Sequence, residues 1–111
     1  MRRSIIACLL VLLAAQPAAA ADPELEPGRL IRLPDGRKLN FRCTGTGAPT
    51  VVLEGGYGAN SLAWEPVRRL VQGKLRVCSY DRAGYGFSTP GSLPRDGASI
   101  ARDLDRGLRT A

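Results

Sequence analysis

Two short apolar runs, Thr50 to Leu53 and Arg76 to Tyr80, narrow the folds open to this chain more than any other feature. The first is β-branched and lacks polar alternation, which suits a strand covered on both faces of a mostly parallel sheet. Between the runs, Trp64, Val67, Leu70 and Val71 recur at helical spacing. Pro66 fits the first turn of that helix and Gly73 its carboxyl-terminal end, so Trp64 is expected to anchor a core. A strand, a helix and a second strand close as a right-handed crossover. Upstream, Arg29 to Leu33 and Lys38 to Cys43 read as strands joined by a turn at Pro34-Asp35-Gly36-Arg37, a hairpin. Leu39 and Phe41 alternate with Lys38, Asn40 and Arg42, so one hairpin face is expected to be buried. Downstream, a Gly/Pro-rich loop runs from Asp81 to Gly97. The segment Ser99 to Ala111 then places Ile100, Leu104 and Leu108 on one helical face, with Asp and Arg opposite. The order is β-hairpin, then β-α-β-α, an α/β sheet.

The chain opens with a different kind of segment. Met1-Arg2-Arg3 precedes an apolar stretch from Ser4 to Ala15, and Gln16-Pro17 and small residues from Ala18 to Ala21 follow. That pattern predicts a secretory signal over residues 1–21 and a partial domain over residues 22–111. The stretch falls short of the roughly 20 apolar residues that span a bilayer, so no stable membrane anchor is expected. The location read from it is secreted or periplasmic. Loss of Arg2 and Arg3 with the signal lowers the net charge from +6 to +4. The remaining arginines are scattered without interleaved aromatics, which argues against nucleic acid. Cys43 and Cys78 stay in the mature part; an oxidising compartment would permit a disulfide between them. Two cysteines and no histidine make a poor zinc site, and no metal or cofactor is expected.

The stretch Val51-Val52-Leu53-Glu54-Gly55-Gly56-Tyr57-Gly58 carries the chemistry. No lysine follows these glycines at phosphate-loop spacing, and Ser61 breaks the dinucleotide pattern that Gly56 and Gly58 begin. Leu53 to Gly58 instead resembles the H-G-G loop of α/β-hydrolases, with Glu54 in place of the histidine. Tyr80-Asp81-Arg82-Ala83-Gly84-Tyr85-Gly86-Phe87-Ser88 resembles the D-x-R-G-x-G-x-S turn after that family's fourth strand. The helix from Trp64 and the final "SIARDLDRGL" helix match in order. The chain thus resembles the N-terminal part of a secreted α/β-hydrolase of the serine type, from Gly28 to Ala111.

That resemblance implies several roles. The backbone N–H of Gly56 falls where the family places an oxyanion-hole donor, with Gly55 and Gly58 permitting the turn. Glu54 is expected to accept from neighbouring backbone N–H groups. Asp81 and Arg82 are expected to brace the following loop, with Gly84 and Gly86 shaping it and Trp64 as a structural residue. The family's strand order brings Cys43 beside Cys78 as a disulfide. It also leaves Thr50 to Glu54 at an exposed edge, truncated before the nucleophile strand.

No serine here stands in G-x-S-x-G. Ser88 comes nearest but reads as a loop residue, and the absence of histidine leaves no Ser-His-Asp triad within the chain. The expectation is an N-terminal fragment of an α/β-hydrolase, inactive alone, whose full-length family acts on small molecules. A C-terminal polypeptide completing the sheet is the partner this implies. The alternative is a non-catalytic secreted binding or interaction module that uses the glycine loop or the sheet edge.

Overall fold

The computed structural model describes Asp22 and residues 26–111; the expected signal segment lies outside them. Four strands form one sheet: β1 (Arg29–Arg32), β2 (Lys38–Thr44), β3 (Val51–Leu53) and β4 (Val77–Tyr80), in the order β1-β2-β4-β3. The β1–β2 and β2–β4 pairs are antiparallel, and β3–β4 is parallel. A 3₁₀ turn (Ser61–Trp64) leads into helix α1 (Glu65–Val71), which connects β3 to β4, and helix α2 (Gly97–Thr110) closes the chain.

The hairpin forms as its turn chemistry requires. Gly36 takes φ 86, and the Leu33 N–H and Arg37 carbonyl close the loop at 2.7 Å. Ile31, Leu33, Leu39, Phe41, Tyr80 and Ala83 make the core, with Phe41 stacked on Tyr80 at 5.5 Å between ring centroids. Cys43 faces Cys78 across β2 and β4, and the two are joined as a disulfide.

Helix α2 begins two residues earlier than its apolar spacing indicates, because the Asp96 side chain caps it by accepting from the Ser99 N–H at 2.8 Å. Its buried residues are Asp103 and Gly107, while Leu108 is exposed. A β-carbon at Gly107 would lie 2.9 Å from the Phe41 ring, so only glycine lets the helix approach that closely. Asp103, read from the sequence as part of the polar face, is buried because two arginines meet it. Arg37 reaches it with both terminal nitrogens (2.8 and 2.7 Å), and Arg95 adds a third contact at 2.8 Å.

The hydrogen bonds from Arg37 hold the Asp103 carboxyl below the usual carboxylate range. Burial opposes that shift, and Arg95 reinforces it. A depressed carboxylate pKa stabilises the fold above its unfolded value and loses that contribution as pH falls through the folded one. Chemical denaturation should therefore show wild type falling steeply below about pH 4. D103N should be less stable near neutrality, and its deficit should shrink in acid; a deficit constant with pH would refute the pairing.

Three features differ from the sequence reading: Asn40, the cover of β3 and the apolar face of α1. The alternating pattern placed Asn40 on the open hairpin face, yet it is 0% exposed, because its amide serves a buried carboxylate described below. β3 lies at the sheet edge, as the resemblance implied, with β4 its sole neighbour among the described residues, but it is half-exposed rather than covered on both faces. Trp64 is half-buried and outside the core cluster, and Leu70 is 75% exposed. The apolar face of α1 finds little among the described residues to cover it. Arg68, paired with Glu65, is instead the buried residue of that helix.

Candidate active site: the glycine loop after β3

Parallel strands β3 and β4 end side by side, so the residues that follow them share one rim of the sheet. Glu54, Gly55, Gly56, Tyr57 and Gly58 leave β3 there, and Asp81 to Gly86 leave β4. Each loop is fixed by its own carboxylate.

Asp81 is 1% exposed and acts as a hub. One carboxylate oxygen accepts from the Ser61 N–H at 2.7 Å. The other accepts from the Asn40 side-chain amide at 2.9 Å and the Phe87 N–H at 3.0 Å. Ser88 donates its hydroxyl to the Asp81 carbonyl at 2.6 Å and accepts from the Asn40 N–H at 2.9 Å. That hydroxyl is enclosed and committed, consistent with its reading as a loop residue. Gly86 takes φ 49, and a β-carbon there would collide with the Asp81 carboxylate. The Gly84 N–H donates to the Thr89 carbonyl at 3.2 Å, closing the turn.

Arg82 faces the other loop, and no hydrogen bond or ion pair joins it to Asp81. It donates to the Gly56 carbonyl at 2.5 Å, lies 3.6 Å from Glu54, and stacks 4.7 Å from the Tyr85 ring. Glu54 accepts from the Tyr80 hydroxyl in place of the backbone donors expected from the sequence. Burial, and then the bond to Glu54, raise the Tyr80 phenol well above its ordinary value, so it remains a proton donor at any working pH. Tyr80 was missed because a tyrosine closing an apolar strand reads simply as core.

The glycine loop takes its shape from these partners. Gly55 is buried, and a β-carbon there would sit 3.1 Å from the Ala59 carbonyl. Gly58 takes φ 76, where a side chain is strained. Gly56 is exposed; its carbonyl is pinned by Arg82 and by the Ala59 N–H at 3.1 Å. No acceptor among the described residues takes its N–H. A cavity of about 280 Å³, lined in part by Tyr57, Arg82 and Tyr85, adjoins the loop. The rim therefore offers an unengaged backbone donor on an exposed, pinned residue beside a semi-aromatic cavity. Among the described residues, no cluster of three or more acidic, cysteine or histidine side chains is placed to hold a metal.

No protein-family model matches the chain. It is 40% identical over 63 residues to an AB hydrolase superfamily protein of Gibberella zeae, covering 56% of this chain and 20% of that protein. The structure superposes on an esterase from Exiguobacterium antarcticum with TM-score 0.64 and 28% identity, over 74% of this chain and 31% of the esterase. It also superposes on the enol-lactonase from Burkholderia xenovorans LB400 with TM-score 0.66 and 25% identity, over 74% of this chain and 32% of the lactonase. The chain thus spans between 20% and 32% of the length of these relatives.

Proposed function

This chain carries the N-terminal part of the α/β-hydrolase fold, and we propose that it supplies the oxyanion-stabilising side of a hydrolase site acting on ester-like bonds. The observation that carries this reading is the unengaged N–H of Gly56, an exposed residue whose own carbonyl is clamped by Arg82. A donor held in place before charge develops costs no reorganisation during reaction, and one such donor is typically worth about 100- to 1,000-fold in kcat. In this reading a serine nucleophile attacks the carbonyl, and water hydrolyses the acyl-enzyme. The 111 residues contain no histidine and no serine in a G-x-S-x-G frame, so in this reading the base and the nucleophile, with the acid that orients the base, are supplied by further polypeptide.

The 111-residue chain is expected to hydrolyse a chromogenic acetate ester no faster than buffer does. Co-folding with a polypeptide that carries a G-x-S-x-G turn, an acid and a histidine should restore turnover. In that assembly, Gly56→Pro, which removes the N–H, should lower kcat by about 100-fold or more. Turnover by the chain alone would refute the division of labour, and an unchanged kcat in G56P would refute the oxyanion assignment.

Export belongs to the same reading. Its supports are the signal-like segment over residues 1–21 and the Cys43–Cys78 disulfide. No helix among the described residues is long and apolar enough to cross a membrane.

A second reading, a non-catalytic interaction module, is favoured by the exposed apolar surface of β3 and α1, where Val51 is 40% and Leu70 75% exposed. A monodisperse chain that melts cooperatively as a monomer and complements no hydrolase would favour it.

A further inference from the structure

Position 54 is where this chain departs from the H-G-G pattern of the loop, and the fold gives the glutamate a use. We propose that Glu54 is a positioning residue: its carboxylate fixes the Arg82 guanidinium, which fixes the Gly56 peptide, while Tyr80 holds the carboxylate itself. The role rests on the oxyanion reading of Gly56 and adds the groups that set that donor.

Parallel pairing puts Leu53 of β3 opposite Ser79 of β4, so the next positions, Glu54 and Tyr80, leave the sheet abreast. Tyr80 is 2% exposed and stacks on Phe41, so its hydroxyl projects from a fixed ring. That hydroxyl donates to Oε2 of Glu54, which leaves Oε1 to face the Arg82 Nε at 3.6 Å. Among the described residues no other carboxylate forms an ion pair with Arg82. The Arg82 Nε is buried and makes no hydrogen bond, so the Glu54 charge is what balances the guanidinium there. The Tyr85 ring covers one face of the group. A terminal nitrogen remains to donate to the Gly56 carbonyl at 2.5 Å.

An arginine side chain loses much rotamer freedom when it is fixed, so a clamp of this kind needs a partner that holds it in advance. With Glu54 gone, only the Tyr85 face and the Gly56 carbonyl hold Arg82, and it exchanges with rotamers that face solvent. A carboxylate suits the position better than the histidine of the family pattern. Its two oxygens accept from Tyr80 and face Arg82 at once, whereas a neutral imidazole has one acceptor nitrogen and no charge to offer. Placement matters because a shift of about 1 Å near a reacting group can lower turnover about 100-fold.

Glu54→Gln separates charge from shape, since its amide oxygen still accepts from Tyr80. In the disulfide-bonded chain, carbon-13 NMR of the Gly56 carbonyl reads the clamp directly. That resonance should move upfield in E54Q and in Arg82→Ala, while those of buried Leu39 stay in place and show that each variant folds. Millimolar methylguanidinium should restore the resonance in R82A but not in the R82A/E54Q double variant, a rescue that a merely structural role does not give. In the co-folded assembly, E54Q and R82A should each lower kcat about tenfold or more with KM unchanged. An unmoved Gly56 carbonyl in E54Q, or an undiminished kcat in E54Q where G56P still loses activity, would overturn the role given to Glu54. A moved carbonyl with an unchanged kcat in G56P would uphold the clamp and overturn the oxyanion reading instead.

Discussion

Asp81→Ala is expected to remove most of this domain's stability at room temperature. The substitution removes the acceptor shared by the Ser61 N–H, the Asn40 amide and the Phe87 N–H, and the carboxylate is 1% exposed. A buried donor left unsatisfied costs about 1–3 kcal/mol, so three cost about 3–6 kcal/mol even with partial relaxation. A domain this small sits near the lower end of the usual 5–15 kcal/mol range, and the loss consumes most of it. Asp81→Asn keeps the shape and one acceptor but turns an N–H₂ group toward remaining donors; a smaller loss of about 1–3 kcal/mol is expected. Urea titration followed by fluorescence of Trp64, the single tryptophan, measures both. A wild-type midpoint in D81A would show that the hub does not hold these loops together.

The second large effect belongs to the disulfide. Cys43 and Cys78 are 35 residues apart in sequence, and a cross-link closing a loop of that length restricts the unfolded chain by about 4 kcal/mol on the loop-entropy account. The bridge ties β2 to β4, and β4 in turn holds β3, so its loss loosens every strand pair beyond the hairpin. C43S, C78S and the double variant should be destabilised by the same amount, about 4 kcal/mol. Dithiothreitol should bring wild type to their level. Coincident urea midpoints for oxidised and reduced wild type would mean that the cross-link contributes nothing.

The fold was largely legible because its signals are local. Pro34-Asp35-Gly36 favours a turn, and an unbroken apolar run followed by glycines marks a strand and its exit, though not how far that strand is covered. The strand–helix–strand order then leaves few topologies. The candidate site was legible in part. Glycines at 55, 56 and 58 announce a backbone that something approaches, but the partners that fix the loop come from elsewhere in the chain. Arg82 lies 26 residues beyond Gly56, and no spacing rule links them. Glu54 was assigned backbone partners because those are its sequence neighbours; in the fold the Tyr80 hydroxyl stands closer.

Patterning failed where an element meets two environments. Period-two alternation assigns Asn40 to solvent, but a sheet face covered by a loop buries polar and apolar residues alike, provided their hydrogen bonds are met. Period-3.6 spacing made Trp64, Val67 and Leu70 inward-facing, yet a helix can bury that face only against something that packs on it.

The sequence by itself therefore determined the order of the elements, the turn positions, the glycine-bearing exit of β3 and the absence of a histidine, because each depends on residue type or near-neighbour geometry. Only the tertiary structure decided which polar groups are enclosed. Asp81 with Asn40 and Ser88, and Asp103 with Arg37 and Arg95, meet across separations of up to 66 residues. The reason is energetic: a buried charge persists only when its partners converge in space, and that convergence is a property of the packed chain.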